Sequence, residues 1–312
     1  MLYVLAYPEG REALVRFPYE IGIVVPMAYP SLLKTDENAS EYIYEIASDP
    51  FFDILEVGVI GDGEWSRVEE RLKVLPRRPS FILALQAEIL LRGANPSSTS
   101  EDERRRAEEL FVREAERACN RGFRAVALCT GPNVPESERR RALEAFAKTL
   151  GAVAEAAGKC GMQVYVETFD TDVDKKRLLG RIEDAARLVE EVRGSHPNVS
   201  ILWDLSHAPL LGETPEDLKP YSSLIGHVHI GAAKRVEGRL YDWHPGFYRP
   251  GSVNDERDVA RLLAVLEEMG YRGAISFEVK PEEGQDVREV LGASKEALVR
   301  AYRLHVEGGL GR

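Results

Sequence analysis

The 312-residue sequence predicts a (β/α)8 barrel as a single domain behind a short N-terminal extension. Three observations carry this. Short runs rich in β-branched and aromatic residues alternate with longer helical stretches along the chain, the rhythm of a parallel sheet. Eight such strand–helix pairs fit the length. No G-x-G-x-x-G follows the first strand, which disfavours the doubly wound open sheet that shares the rhythm.

Residues 1–18, MLYVLAYPEGREALVRFP, precede the eight units and are expected to form a hairpin across the barrel's bottom; residues 19–312 form the barrel. Strands are expected at 20–27 (EIGIVVPM), 52–60 (FDILEVGVI), 80–87 (SFILALQA), 123–130 (FRAVALCT), 162–169 (MQVYVETF), 199–206 (VSILWDLS), 224–231 (LIGHVHIG) and 274–280 (AISFEVK). Helices are expected near 38–48, 64–74, 101–120, 136–160, 174–193, 214–222, 255–269 and 287–304, several with apolar residues at i, i+3, i+4 and i+7. Thr214, followed by Pro215 and set three residues before Asp217, has the form of a capped start, and Ser100 and Ser137 are candidate caps. Segments 93–102 and 244–255 read as loops.

Composition bounds the function. With 44% hydrophobic and 30% charged residues the chain has apolar material for a large core and the surface of a soluble globular protein. The net charge of −11 argues against a nucleic-acid partner, because polyanion binding draws on a basic surface. EDERRRAEEL mixes signs at helical spacing, as in a solvated, ion-paired helix face. Cys119, Cys129 and Cys160 are widely spaced without C-x-x-C, which fits a reducing interior and offers no cysteine metal site. The N-terminal apolar run lacks a preceding basic segment and is broken by Pro8, Glu9 and Arg11, unlike a signal peptide, and no stretch approaches a membrane span. A cytoplasmic location without a membrane partner is expected; assembly into a homo-oligomer stays open.

Barrel chemistry sits at the C-terminal strand ends, where the βα loops converge. There the fifth strand finishes at Glu167, the sixth at Asp204 with His207 following, the seventh at His229 and the eighth at Glu278. In AISFEVK, alternation puts Ile275, Phe277 and Val279 on the helix side and Ala274, Ser276 and Glu278 inward. His227 and His229 share a face, with His229 nearer the mouth. Asp204 and His207 reach one cavity only if the chain turns after Asp204, as Ala208 and Pro209 suggest. Three carboxylates and an imidazole at adjoining ends form a costly nest of like charge. A divalent cation resolves it, and an oxygen-rich set with one imidazole suits Mn²⁺, Co²⁺ or Mg²⁺, with Zn²⁺ also in range. Each residue alone also has an ordinary reading, such as a turn cap, a satisfied core histidine or an ion-pair partner. Glu56 and Gln86 also lie near strand ends, where packing or a supporting hydrogen bond explains them equally well.

Through VETFD, WDLSH, GHVHIGAAKR and SFEVKP the chain resembles the xylose isomerase-like TIM-barrel superfamily over about residues 19–305. The resemblance is to its sugar phosphate isomerase/epimerase and ketose 3-epimerase branch, with endonuclease IV as a distant relation. It implies metal ligands at Glu167, Asp204, His229 and Glu278, and substrate contacts from His207 and from Arg235, six residues after His229. Asp242 and His244 form a D-x-H pair that, with His207, resembles a further metal site of endonuclease IV; ordering of the loop is the alternative. The histidines which that enzyme carries on its third and fourth strands are missing, since ILALQAE and VALCTGP stand there. The activity implied is metal-dependent isomerisation or epimerisation of a small sugar by proton transfer next to a carbonyl, through an enediolate, with Glu167 and Glu278 flanking the substrate as base and acid. Metal-dependent phosphodiester cleavage of the abasic-site nuclease type, or a non-catalytic sugar-binding barrel, are the alternatives.

Overall fold

The computed structural model describes residues 2–308, so the outer limits at 1 and 312 expected from sequence fall outside it. The chain opens on an antiparallel hairpin, β1 (Tyr3–Ala6) and β2 (Ala13–Arg16). The barrel strands follow: β3 (Ile21–Val24), β4 (Ile54–Val57), β5 (Ser80–Ala84), β6 (Ala125–Cys129), β7 (Gln163–Glu167), β8 (Val199–Asp204) and β9 (Ile225–Ile230). A second hairpin, β10 (Lys234–Val236) and β11 (Arg239–Tyr241), precedes the last strand, β12 (Ala274–Phe277). All eight barrel strands are parallel, and β12 pairs with both β9 and β3 to close the cylinder.

The α-helices are α1 (Val25–Ala28), α2 (Ala39–Ala47), α3 (Asp62–Leu72), α4 (Gln86–Leu90), α5 (Glu101–Asn120), α6 (Glu136–Gly158), α7 (Ile182–Arg193), α8 (Ala208–Leu211), α9 (Glu256–Glu268) and α10 (Val287–Val306). The first hairpin packs on the end of α10. There the Tyr302 hydroxyl donates to the Arg16 carbonyl at 2.6 Å and Arg303 Nε to the Leu5 carbonyl at 3.1 Å. No helix among the described residues is long and apolar enough to cross a membrane.

Period-two alternation splits the core. Leu55, Phe81, Val126, Val166, Trp203, Val228 and Phe277 pack outward under the helices, while Ile54, Ile82, Ala125, Ala127, Tyr165, Leu202 and Ala274 fill the lumen. Each fully buried large side chain contributes roughly 1.5–3 kcal/mol. The lumen is narrow beside β12: a Cβ on Gly22 would lie 2.1 Å from the Ser276 hydroxyl oxygen. Above this apolar floor the same inward rows turn polar, because Glu56, Glu167, Asp204 and Glu278 stand two or four residues beyond Ile54, Tyr165, Leu202 and Ala274.

Several elements depart from the sequence reading. The segment from 174 is loop, and the helix starts at Ile182. The Asp170 carboxylate accepts the amides of Val173, Asp174 and Lys175, each at 2.7 Å, giving the backbone an alternative to the helix. Residues 215–224 are 3₁₀ rather than α, with Pro220 inside, although Thr214 and Asp217 do form the capping box. Ser137 sits inside α6, whose cap position is Pro135, and Ser100 stands ahead of α5 without a side-chain capping bond. Cys119 and Cys160, read as separate thiols, are joined in a disulfide between the ends of α5 and α6; Cys129 is free and buried.

Candidate metal centre at the barrel mouth

Register places the predicted strand ends at one level. Asp204 pairs with His229 across β8 and β9, His229 with Ser276 across β9 and β12, and Glu167 stands opposite Leu202. Glu278 continues the inward row of β12. The absence of a Cβ on Gly231 lets that strand end pass, since one would lie 2.3 Å from the Glu278 carbonyl oxygen.

Glu167, Asp204, His229 and Glu278 each offer one ligand atom, and these four atoms lie within 4.8 Å of one another. Two of the carboxylates are held by one oxygen and free at the other. Glu167 Oε2 accepts from Gln86 Nε2 at 2.7 Å, and Asp204 Oδ1 accepts from the Ser206 amide at 2.7 Å and its hydroxyl at 2.5 Å. The remaining oxygens, Glu167 Oε1 and Asp204 Oδ2, are buried without a hydrogen-bond partner. His229 is oriented in the same way. Its Nε2 faces Glu56 at 3.1 and 3.2 Å, which turns Nδ1 toward Glu278 Oε2 at 2.8 Å and Glu167 Oε1 at 3.7 Å. Buried oxygens left open toward one centre by supporting hydrogen bonds are what a divalent cation requires, so the residues fit such an ion.

The protonation pattern shows how the protein manages these charges without one. Burial, reinforced by the Glu278 charge, pushes the Glu167 carboxyl up to about 8, and burial also raises Asp204. Against the opposing effect of burial, the charge of His244 and the hydrogen bond with His229 bring Glu278 down to about 2. Burial would lower His229 too, but Glu56 and Glu278 hold it well above the usual imidazole range. Protonated imidazoles thus occupy the electrostatic role that a cation would take, and binding one would displace protons.

His207 is presented by the turn after Asp204, where its amide bonds back to the Asp204 carbonyl at 3.1 Å and α8 begins with Pro209 in its first turn. Its Nδ1 lies 2.8 Å from the Thr168 carbonyl, which can only accept, so Nδ1 carries the proton. Nε2 then faces Asp242 Oδ1 at 3.2 Å and Asp204 Oδ2 at 3.6 Å. His244, at a positive φ of 51°, reaches Asp242 Oδ1 with Nε2 at 2.6 Å and the Ser206 hydroxyl with Nδ1 at 3.1 Å. Asp204, His207 and His244 form a second group with ligand atoms within 4.8 Å. Arg235, by contrast, lies exposed on β10 and is absent from the lining of the mouth cavity; the strand ends at Ile230 and the second hairpin carries the arginine outward.

A cavity of about 290 Å³ reaches the tetrad at Glu278, with Glu56, Gln86, Asp242 and His244 also on its lining. Glu56, read from sequence as a strand-end residue open to packing or to a supporting hydrogen bond, takes the second role, its carboxylate bridging His227 Nε2 at 2.7 Å and His229; two further contributors were not singled out as site residues, Ser206, which ties Asp204 to His244, and Arg177, which lines the cavity from the loop after β7.

The chain is thus a closed eight-stranded parallel barrel with a carboxylate–imidazole tetrad at its C-terminal rim. The chain belongs to the xylose isomerase-like TIM barrel family, whose model matches residues 77–298. Solved structures share the fold at low identity. A D-tagatose 3-epimerase-like protein superposes with a TM-score of 0.68 at 21% identity, covering 91% of this chain and 98% of its own. The IOLI protein with a bound zinc atom gives 0.67 at 15%, covering 94% and 99%. D-psicose 3-epimerase from Clostridium cellulolyticum H10, solved with D-tagatose, gives 0.65 at 17%, covering 93% and 97%. No curated protein matches the chain in sequence.

Proposed function

We propose that the protein is a divalent-metal-dependent sugar isomerase or epimerase that moves a proton at the carbon next to a carbonyl. The carrying observation is the four-residue cluster whose ligand atoms lie within 4.8 Å, with Glu167 Oε1 and Asp204 Oδ2 buried and unpartnered. Glu167, Asp204, His229 and Glu278 would hold the cation, with Mn²⁺, Co²⁺ or Mg²⁺ suited to the oxygen-rich set and Zn²⁺ also compatible. The cation supplies Lewis-acid stabilisation of the negative charge that develops on the substrate oxygens as an enediolate forms.

The chain's own residues do the rest. Glu167 on β7 and Glu278 beyond β12 approach from well-separated strands, so one carboxylate can remove the proton and the other return one on the opposite face, the geometry of epimerisation. A single carboxylate acting on both carbons gives 1,2-isomerisation. Gln86 steadies Glu167, and Glu56 fixes the ring of His229. Between Thr168 and Asp242, the imidazole of His207 is set to orient substrate oxygens. The fold likeness to structures named as D-psicose 3-epimerase, L-ribulose 3-epimerase and a D-tagatose 3-epimerase-like protein supports this reading.

The test is hydrogen exchange between a ketose panel and deuterated solvent on Mn²⁺-loaded protein. Wild-type protein should incorporate deuterium beside the carbonyl, and Glu278→Gln should lower the rate by at least about a thousandfold while circular dichroism shows the fold intact. Exchange retained by that variant removes Glu278 from the proton path. A second reading, phosphodiester cleavage with a further cation at His207, Asp242 and His244, draws on the buried group of Asp204, His207 and His244, whose ligand atoms lie within 4.8 Å of one another, with the Asp242 carboxylate beside it. Two bound ions per chain with nicking of abasic DNA would favour it; one ion per chain with solvent exchange favours the isomerase.

A further inference from the structure

The walls of the mouth cavity differ in chemistry. From the β3, β4 and β5 side it is lined by Met27, Leu32, Leu33, Val59, Leu90 and Leu91. From the loop after β7 and the chain after β12 it is lined by Lys175, Arg177 and Lys280, together with the carboxylates of Asp242 and Glu278. Lys175 is already neutralised, with Nζ 3.1 Å from Asp174 Oδ2 and 3.4 Å from Asp242 Oδ2. Arg177 and Lys280 have no acidic partner among the described residues, although the chain carries an excess of 11 negative charges.

Arg177 is also held ready. Its amide donates to the Asp170 carbonyl at 2.8 Å, the next residue's amide to the Gly131 carbonyl at 3.1 Å, and its Nε to the Lys175 carbonyl at 2.9 Å. That anchoring leaves both terminal guanidinium nitrogens without a partner among the described residues, in a half-buried position on the cavity wall. A partly desolvated charge is stable when paired, and a fixed planar fork loses little freedom on meeting a carboxylate or phosphate.

We infer that the substrate is an acidic sugar, a uronate or sugar phosphate, whose anionic group is received by the Arg177 guanidinium while Lys280 at the rim adds to the attracting field. On the apolar wall the leucine and methionine side chains offer that group no donor, and the two donors beside them are already engaged, Arg92 by Glu88 and the Leu33 carbonyl and Gln86 by Glu167, so the pocket also sets which end of the sugar meets the metal tetrad. This rests on the isomerase reading for the identity of the rest of the ligand.

The experiment is calorimetric binding of three non-reacting polyols to Mn²⁺-loaded protein: sorbitol, its C6 carboxylate L-gulonate, and sorbitol 6-phosphate. One or both acidic ligands should bind about 10- to 100-fold more tightly than sorbitol, the range of a charge-assisted pair. Arg177→Met should bring the ratio to within about threefold, and Arg177→Lys should restore part of it because the charge returns without the fork. Lys280→Met, at an exposed position, should lower the ratio less and cannot disturb the core. A carboxylate preference identifies a uronate and a phosphate preference a sugar phosphate. Equal binding of all three, or a preference that survives Arg177→Met, overturns the inference. Solvent exchange on the matching ketoses separates the two readings: an acid preference without exchange rejects proton transfer and leaves the anion site, whereas exchange with equal binding rejects only the anion site.

Discussion

Replacing Glu56 by Gln tests whether the metal centre depends on a residue that never touches the ion. Glu56 is fully buried and accepts from two imidazoles, at 2.7 Å from His227 and 3.1 Å from His229. Both rings share Oε1, and a glutamine of the same shape would put its NH₂ group at the Oε2 position, 3.2 Å from His229 Nε2, so that ring's N–H would face a donor. A buried donor left unsatisfied costs about 1–3 kcal/mol, or roughly 2–12 °C in Tm for a chain of this size. The larger effect falls on the ion, because His229 presents Nδ1 to the tetrad only while Nε2 is held from behind. Losing such a supporting carboxylate lowers metal affinity about 10- to 100-fold. The assay is Mn²⁺ titration against a competing chelator, with thermal unfolding of the chelated protein alongside. Ile54→Val, two residues earlier on the same inward row, is the control: it costs about 0.5–1.5 kcal/mol and should leave affinity unchanged. Wild-type affinity in Glu56→Gln, or an equal loss in Ile54→Val, would refute the supporting role.

Other outcomes follow from the same geometry. For chelated protein, the raised groups Glu167 (to about 8), His244 (to about 9) and His229 (well above its usual range) contribute stability that is full below their unfolded values of about 4.3 and 6.5 and is lost as pH rises through the folded ones. Glu278, brought to about 2, contributes stability present above about 4.3 and lost as pH falls toward 2. Its Tm should therefore peak near pH 5–6 and decline toward 9, and the gap to the Mn²⁺-loaded protein should widen over that decline; a gap independent of pH would show that the ion displaces no protons. Gly22→Ala should lower Tm by roughly 2–12 °C, the cost of overpacking, and Ser276→Ala in the same chain should recover part, since the hydroxyl is the nearest obstacle; additive losses would disprove that contact. Burial pushes the Cys129 thiol well above its usual range, so thiol reagent at pH 8 should label no cysteine in the native protein and one after unfolding without reductant; native labelling would contradict the burial.

The tetrad was legible in sequence because a parallel barrel converts strand alternation into depth. Once Tyr165, Leu202, His227 and Ala274 face the lumen, Glu167, Asp204, His229 and Glu278, two or four positions later, must face it too, one layer higher. What was not legible depends on contacts that alternation does not encode. Glu56 meets His227 across 171 positions of sequence, a contact created by closure of the cylinder and not by either strand. Arg177 was hidden inside an expected helix; the competing structure is organised by the Asp170 carboxylate, whose hold on three successive amides has no periodic signature. Cys119 and Cys160 become neighbours only when α5 and α6 pack side by side.

Arg235 shows the limit of carrying a position over by counting. Six residues after His229 is a position in space only if the strand or the following loop has the expected length and path. Here β9 stops at Ile230, Gly231 passes tightly by the Glu278 carbonyl, and the chain enters a hairpin whose outer edge bears the arginine. The hairpin sends Asp242 and His244 back to the centre, latched by the Asp242 amide on Asp174 at 2.9 Å and by Lys175 on the Asp242 carbonyl at 2.6 Å. The same latch fixes the β7 loop in which Arg177 stands. The hairpin that carries Arg235 outward is thus tied to the loop in which Arg177 lines the mouth, so the proposed anion site lies on a different side of the barrel than counting from His229 implies.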